Sequence, residues 1–469
     1  MEVSGKKVLI IGAARSGIAC ARFLNERGAV VALSDRKPVE EWSDEARQLK
    51  ERGIGLIGGD VPMWLLDQIE LVVVSPGVPT KSIPIRYAER AGAEVIGEVE
   101  LAFRFLRGRM VAITGTNGKT TTTTLIGEIL KDAGFKTQVG GNIGTPLISL
   151  VENSEEDGWT VVEVSSFQLE TISNFHPQAA LCLNVTPNHM DRYETLTDYA
   201  AAKHRIFRNQ AAGDVAVLNA DDEIVSSWAR GLRAHIAFFS TKRELEEGLF
   251  LRGRELVSRT REGERVLMRR DEMQLRGLHN VENVLAALAA GLACGASVES
   301  MRETVRNFRP VEHRMERVAE IDGVTFYNDS KATSVDATLK ALEALSEDEG
   351  KIVLILGGRG KQAPYAPLAP LIRNHARKLI LIGEDADTIE RELSGEAPME
   401  RASDMRDAVR RAFQAAEPKD SVLLAPACAS FDMFKSFEHR GEVFKQEVKS
   451  LKPSADSNEQ KTRKLTTDG

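Results

Sequence analysis

Chemistry is concentrated in Thr114-Gly115-Thr116-Asn117-Gly118-Lys119-Thr120. The stretch follows the apolar run Met110-Val111-Ala112-Ile113 and leads into a helical pattern from Thr120 to Ala133. A strand, a glycine-bearing turn and a helix N-terminus make an anion cradle, because backbone N–H groups point into the turn and the helix dipole adds partial positive charge. Lys119 offers a full charge to the β/γ-phosphates of a nucleotide, and Thr120 a hydroxyl to Mg²⁺. The usual phosphate-loop pattern asks for glycine where this chain has Ile113, and Gly115 stands nearer instead. An ordinary strand–helix turn is the alternative. Glu163 lies inside the apolar strand pattern Thr160–Val164. A buried carboxylate is costly unless paired or bound to a cation. A Mg²⁺ shared with Thr120 is a natural partner, and a salt-bridged structural acid is the alternative. His189 and Asp191 follow the core strand Ala179–Val185 and are candidate metal or substrate groups, although a lone histidine is more often structural. Further on, four successive strand ends put Asp329, Lys331, Lys361 and Ser430 at one edge, a cue for a small-molecule site facing another domain.

These residues need three sets of elements to position them. Lys7–Gly12 reads as a buried strand, Gly12-Ala13-Ala14-Arg15-Ser16-Gly17 as a turn into a helix reaching about Arg27, and Val30–Asp35 as a second strand with an acid at its end. This is a Rossmann βαβ pattern. Ala14 replaces the middle glycine that lets backbone approach a pyrophosphate closely, which counts against classical NAD binding. A nucleotide diphosphate on this helix N-terminus, with Asp35 and Arg36 toward sugar or base, is the functional reading; a loop that binds nothing is the alternative. Leu71–Pro79 is a buried strand ending in a Pro/Gly loop, Glu94–Gly97 closes the sheet, and a helix from Glu98 to Leu106 bridges onward. Around the phosphate loop, strands continue to Asp222, and residues 235–276 read as shorter strands. Lys203-His204-Arg205 falls in a helical run, Asp198 to Asn209, and by itself reads as a solvated basic face. Asn280 opens an Ala-rich helix and is ambiguous between cap and ligand. Pro310 marks a linker. Strands near Val324, Lys351, Lys378 and Ser421 alternate with helices as a second doubly wound sheet. The expected fold is α/β with three domains: residues 1–97 Rossmann-like, 98–308 a central P-loop ATPase-like parallel sheet, and 309–452 Rossmann-like again. Residues 453–469 read as a disordered tail.

The 469-residue length fits two or three domains. A net charge of −7, with both signs interspersed, argues against a nucleic-acid surface and gives no reason to invoke an acidic membrane. The N-terminal apolar run is too short for a signal peptide, and no apolar stretch reaches the roughly 18 residues of a membrane span. Cys20, Cys182, Cys294 and Cys428 are far apart, without a C-x-x-C pair, and read as free buried thiols of a cytoplasmic protein.

In order along the chain, the phosphate loop, Glu163-Val164-Ser165-Ser166-Phe167-Gln168-Leu169-Glu170, Asn188-His189-Met190-Asp191, His279-Asn280, His313-Arg314-Met315-Glu316 and Asn328-Asp329-Ser330-Lys331-Ala332-Thr333 together resemble the Mur ligases. Ser75-Pro76-Gly77 and Pro426-Ala427-Cys428-Ala429-Ser430-Phe431-Asp432 are similar to the branch that adds D-glutamate to UDP-N-acetylmuramoyl-L-alanine in peptidoglycan precursor synthesis. The resemblance implies a cytoplasmic, monomeric ATP-dependent amide ligase acting through an acyl phosphate, with no nucleic-acid or membrane partner. It implies ATP contacts at Thr116, Asn117, Gly118, Lys119, Thr120, Asn280, Asn283, Arg314, Asp329 and Lys331. Two Mg²⁺ ions are implied, one on Thr120 and Glu163 and one on His189 and Lys203. A lysine ammonium cannot ligate Mg²⁺, and the family's matching lysine is carbamylated by CO₂, which makes it a hard oxygen donor. Lys119, His189 and Lys203 would be the catalytic set. Arg15, Ser16, Asp35, Arg36, Gly77 and Asn142 resemble uridine-diphosphate and sugar contacts, although the Gly12–Gly17 turn has less glycine than the family's. Thr333, Lys361, Ser430 and Phe437 resemble the D-glutamate pocket, with Lys361 on the side-chain carboxylate.

Rival readings remain open at this level: a ligase of the same superfamily for another amino acid or for folate, a non-catalytic nucleotide-sensing module, and an NAD oxidoreductase. Lys119, Glu163, His189 and Lys203 together argue against the sensor, which needs no second metal, and Ala14 against the oxidoreductase.

Overall fold

The computed structural model describes residues 1–190, 192–309, 312–346, 349–361 and 363–451. Asp191, Pro310 and the 453–469 tail expected to be disordered lie outside the described residues. Three α/β domains are each built around a mostly parallel sheet. The first sheet comprises β1 (Lys7–Ile11), β2 (Val30–Asp35), β3 (Gly55–Gly58), β4 (Leu71–Val74) and β5 (Glu94–Gly97), in the parallel order β3-β2-β1-β4-β5. The second comprises β6 (Arg109–Thr114), β7 (Thr137–Gly141), β8 (Trp159–Glu163), β9 (Ala179–Cys182), β10 (Val215–Asn219), β11 (His235–Ser240), β12 (Gly248–Arg252), β13 (Glu255–Thr260) and β14 (Gly263–Arg269). Its order is β14-β13-β12-β11-β10-β9-β6-β8-β7, with only the β12–β14 meander antiparallel. The third comprises β15 (Glu316–Ile321), β16 (Val324–Asn328), β17 (Ile352–Gly357), β18 (Ala376–Ile382), β19 (Met399–Arg401) and β20 (Ser421–Leu424), ordered β15-β16-β20-β17-β18-β19. β15 alone runs antiparallel to its neighbour. Central strands such as β4, β17 and β20 are buried along their whole length, as parallel strands covered on both faces must be.

The chain forms two compact units. One holds Met1–Met273 and Val281–Phe308, and the other Gln274–Asn280 with the residues from Arg309 onward. In the first unit, the first two sheets share a hydrophobic core that runs through the helix Glu98–Phe103. That helix is shorter than its apolar pattern suggests, and two of its acids explain its position. Glu100 is fully buried and accepts the N–H groups of Ser173, Asn174 and Phe175 at 2.9–3.1 Å, with Arg104 Nε at 2.8 Å. Glu98 accepts the N–H of Ile148 at 2.8 Å.

Burial holds the Glu98 carboxyl up at about 7 against an ordinary 4.5, although the Ile148 and Leu147 N–H groups oppose the shift. Between those two values the folded protein keeps a proton that the unfolded chain has lost. The Glu98 contribution is therefore fully present below the lower value and declines as pH rises to the upper one, by up to about 3 kcal/mol. Urea denaturation of wild type and Glu98→Gln across this window should show the slope in the first protein and a flatter profile in the second.

Candidate active site

β6 delivers the phosphate loop. Gly115 (φ 153°) and Gly118 (φ 82°) turn the chain in conformations that favour glycine, and the helix Lys119–Asp132 follows. A Cβ on Gly118 would stand 2.2 Å from Asn283 Oδ1, which also accepts the Thr122 hydroxyl at 3.3 Å. The loop is pinned by Asn184, whose Oδ1 accepts the N–H groups of Thr116 and Asn117 at 3.1 and 2.8 Å. Sequence reasoning missed Asn184; its signal was a polar residue just past a wholly apolar strand. Lys119 Nζ donates to the carbonyls of Gly115 and Thr116 at 2.9 and 2.8 Å. A phosphate oxygen, carrying full charge, is a stronger acceptor than either carbonyl. Gly118→Ala should weaken ATP binding tenfold or more, measurable by calorimetric titration, because it combines roughly 1–2 kcal/mol of left-handed strain with displacement of Asn283.

Glu163, at the end of β8, is buried, and one expected partner and one unexpected one meet it. Thr120 Oγ1 donates to Glu163 Oε2 at 2.8 Å, so the hydroxyl and carboxylate expected to share a metal are adjacent. A hydroxyl beside a carboxylate is a hard-oxygen pair that suits Mg²⁺ chemically. Asn142, expected among the uridine-diphosphate and sugar contacts, is the second partner of Glu163. Its Nδ2 donates to Glu163 Oε1 at 2.8 Å and its N–H to the Glu163 carbonyl at 2.8 Å.

Lys203 does not lie on a solvated basic face. The helix Leu196–His204, started by the Thr195–Asp198 capping box, turns Lys203 inward, where it is 1% exposed. Its Nζ donates to the Gly115 carbonyl at 2.7 Å and lies 4.5 Å from the Tyr199 ring centroid. Burial, then the neighbouring Lys119 charge, pushes its pKa well below that of a free lysine. His189 takes a left-handed backbone (φ 56°), and its ring packs edge-on to Phe167, 4.8 Å between centroids. His189 and Lys203 both flank Tyr199. With Lys203 as an ammonium this second pair does not suit Mg²⁺; as a carbamate it does.

In the first sheet, Asp35 at the end of β2, expected toward sugar or base, accepts the N–H groups of Ala13 and Lys37 at 2.9 and 3.1 Å, so its carboxylate holds the neighbouring turn. Gly17 is indispensable to that turn, since a Cβ there would lie 1.8 Å from the Gly12 carbonyl oxygen. Ser16 is half-buried in the first turn of the helix Arg15–Glu26, Arg36 is exposed, and Gly77 has open space where a side chain would project. Arg15 reaches across to the second sheet's glycine-rich loop, donating to the Gly144 carbonyl at 2.6 Å.

In the second unit, the adjacent parallel strands β16, β20 and β17 carry Asp329, Ser430 and Lys361 beyond the same edge. These residues come from three strand ends, not four. Lys361 Nζ donates to Thr333 Oγ1 at 3.4 Å, so two residues expected in the D-glutamate pocket are in contact, and Lys331 Nζ, expected at the nucleotide, lies 3.6 Å from the ring centroid of Phe437, expected in that pocket. Ser430 is buried. Burial raises the Asp329 carboxyl to about 7, opposed by Arg314 and the Met315 N–H. His313 and Glu316 serve the loop itself: the Glu316 carboxylate accepts His313 N–H and Asn328 Nδ2, each at 3.0 Å. Asn280 Nδ2 donates to the Arg276 carbonyl at 2.7 Å. Arg440, which sequence reasoning missed, is fully buried behind this edge.

Comparison with known proteins gives a consistent assignment. Residues 6–97 match the Mur ligase MurD-like N-terminal domain, 113–291 the Mur ligase middle domain, and 313–428 the Mur ligase glutamate ligase domain. The chain is 48% identical over 458 residues to the UDP-N-acetylmuramoylalanine–D-glutamate ligase of Solibacter usitatus, covering 97% of this chain and 100% of that protein. It is 49% identical over 453 residues to the enzyme of the same name from Pelotomaculum thermopropionicum, covering 96% and 99%. Among solved structures, a pseudomurein peptide ligase type C from Methanothermus fervidus aligns with TM-score 0.61 at 18% identity, covering 96% of this chain and 100% of that one. The UDP-N-acetylmuramate–alanine ligase of Thermotoga maritima aligns with TM-score 0.58 at 20% identity, covering 95% and 100%. At those identities the structures speak to fold, while the near-full-length sequence matches decide the family: the chain belongs to the Mur ligases.

Proposed function

We propose that this protein joins D-glutamate to UDP-N-acetylmuramoyl-L-alanine in the cytoplasm, with ATP converted to ADP and phosphate. The observation that carries the mechanism is the convergence of the Thr120–Glu163 pair with two lysines, Lys119 and Lys203, whose amines share the Gly115 carbonyl. Two ammonium groups on one carbonyl repel each other, so conversion of Lys203 to a carbamate relieves that repulsion and makes an anionic ligand beside His189. Thr120 with Glu163, and His189 with carbamylated Lys203, would hold two Mg²⁺ ions, which neutralise charge on the transferring phosphoryl group.

Residues 1–97 would hold the uridine diphosphate, 98–308 the ATP and 309–452 the amino acid. A terminal carboxylate oxygen of the alanine attacks the γ-phosphorus, and ADP leaves. Lys119 moves from the Gly115 and Thr116 carbonyls to the phosphate oxygens and stabilises the charge spread over them. The amine of D-glutamate then attacks the acyl carbon, the C–O bond breaks, inorganic phosphate leaves, and the amine proton is lost to solvent. Lys361 and Thr333 would bind the side-chain carboxylate of D-glutamate, and Ser430 an oxygen of the same amino acid. Asn280, Asn283, Arg314, Asp329 and Lys331 would contact the nucleotide. The supports are relatives of the stated name at nearly half identity over almost the full chain and a set of groups that neutralise phosphate charge without any protein nucleophile.

The test is phosphate release from ATP with UDP-N-acetylmuramoyl-L-alanine and, in turn, D-glutamate, L-glutamate, L-alanine and a diamino acid. Release that depends on D-glutamate is expected. Equal release with another of these amino acids overturns the assignment of the amino acid.

A further inference from the structure

Thr116, expected among the ATP contacts, has a buried side chain whose hydroxyl meets two other segments of the second sheet's domain. That hydroxyl accepts the Thr186 N–H at 3.0 Å, and its oxygen lies 3.2 Å from the Thr186 carbonyl oxygen and 3.4 Å from the Tyr199 hydroxyl. Thr186 ends a short zipper in which the side-chain and backbone carbonyl oxygens of Asn184 accept the Thr116 N–H at 3.1 and 2.9 Å. The Asp222 carboxylate holds the Val185 N–H between them at 2.7 Å. His189 follows Thr186 by three residues. Tyr199 lies one turn before Lys203 on the helix Leu196–His204 and is buried. Its ring centroid is 4.5 Å from Lys203 Nζ and 6.2 Å from the His189 ring centroid. One hydroxyl of the phosphate loop therefore meets both the segment that leads to His189 and the tyrosine whose ring faces His189 and Lys203 together.

We infer that Thr116 is a positioning residue: its hydroxyl holds Tyr199 and Thr186 so that the Tyr199 ring walls in the Lys203 amine beside His189, and it does not serve ATP. The inference rests on the function proposed above, in which Lys203 is carbamylated. Carbamate formation starts from a neutral amine: the nitrogen adds to the carbon of CO₂, and one proton goes to solvent. An ammonium is stabilised mainly by hydration, so keeping water from Nζ keeps the amine neutral. The Tyr199 ring excludes water only while it stays against Nζ, and a buried tyrosine is oriented by the partner of its hydroxyl. Without the Thr116 oxygen, the Tyr199 hydroxyl and the Thr186 N–H each lose a partner in the interior, and the ring and the chain before His189 shift to recover one. Water then reaches Nζ, and the amine holds its proton. The hydroxyl carries this role and the methyl group does not, so serine can replace threonine here and valine, of the same shape, cannot.

The test labels the carbamate with ¹³C-bicarbonate and counts it by NMR on the whole protein, with Mg²⁺ present and no nucleotide, at one pH. Signal that persists in Lys203→Arg belongs to other amines and is subtracted. Thr116→Val should need on the order of tenfold more bicarbonate than wild type for the same occupancy. Tyr199→Phe should shift in the same direction, and Thr116→Ser should stay within about twofold of wild type. The double variant Thr116→Val/Tyr199→Phe should lose no more than Thr116→Val alone, because both changes remove one contact, whereas independent losses multiply. A urea midpoint shows whether Thr116→Val is folded, and Tyr199→Phe with Thr116→Ser carries the test if it is not. The inference is overturned if the valine and phenylalanine variants keep wild-type carbamate occupancy, or if their losses multiply. It is also overturned if Thr116→Val weakens ATP binding and leaves the carbamate untouched, the result expected of a hydroxyl that contacts the nucleotide. A wild type without labelled carbamate rejects the carbamate at Lys203 and this inference with it. Phosphate release that does not depend on D-glutamate rejects the assigned reaction and leaves the carbamate comparison standing.

Discussion

Lys203→Ala should lose nearly all ligase activity, a fall on the order of 10²–10³-fold or more in kcat, and added bicarbonate should not restore it. The side chain is 1% exposed and its amine is within hydrogen-bond distance of the phosphate loop itself. Burial and the Lys119 charge push its pKa down, which raises the fraction of neutral amine near neutral pH. A neutral amine is the form that adds CO₂, with one proton released as the carbamate forms. Below its depressed pKa the amine is protonated and carbamylation is suppressed, so the bicarbonate dependence of wild-type activity should steepen as pH falls. Lys203→Arg separates this role from simple charge. It restores a cation but cannot form the carbamate, and it should be as inactive as the alanine variant while still binding ATP through the intact Lys119 loop. Steady-state phosphate release in CO₂-depleted and bicarbonate-supplemented buffer measures both effects. Full activity in Lys203→Ala would remove this residue from the reaction.

The sequence and the structure part company where long-range contacts decide what a side chain does. Parallel strands such as β4 and β17 are legible because continuous apolar runs bounded by glycine and proline have few other uses. The Thr120–Glu163 encounter was also legible: a carboxylate in an apolar strand needs a partner, and the phosphate loop is the nearest source of one. Lys203 shows the opposite case. In a helical run with His204 and Arg205 its local surroundings look solvated, and only the packing of Tyr199 and the phosphate loop around it makes it a buried amine. Resemblance found Lys203 where periodicity did not. Resemblance also placed Asn142 and Arg15 among the nucleotide-sugar contacts; in the structure the Asn142 amide donates to Glu163 and one Arg15 nitrogen donates to the Gly144 carbonyl. Asn184 and Arg440 escaped both kinds of inference. Neither sits in a motif with a chemical signature, and each works by holding backbone that is distant in sequence.

Arg440 is the strongest instance, and its replacement should damage both stability and glutamate binding. It lies on the helix Phe437–Ser450 and is completely buried. Its Nε and one terminal nitrogen donate to the Ser330 hydroxyl and carbonyl at 3.0 and 2.8 Å, and the other terminal nitrogen donates to the Cys428 carbonyl at 3.1 Å. One guanidinium thereby joins the loop that carries Asp329, Lys331 and Thr333 to the loop that carries Ser430. Burial lowers its pKa only to about 10, so it stays charged at neutral pH. Arg440→Leu leaves two carbonyls and a hydroxyl facing a hydrocarbon, and a loss of about 3–5 kcal/mol is expected, read as a shift of the urea midpoint with the slope unchanged. Arg440→Lys keeps the charge but lacks the planar fork that spans both loops. It should fold, its KM for D-glutamate should rise by an order of magnitude or more, and its KM for ATP should rise as well, because Asp329 and Lys331, proposed to contact the nucleotide, lie on the same loop. If Arg440→Lys left the KM for D-glutamate unchanged, the two loops would be held together without the guanidinium, by their strands and by the Ala427 N–H, which donates to the Ala332 carbonyl at 2.9 Å.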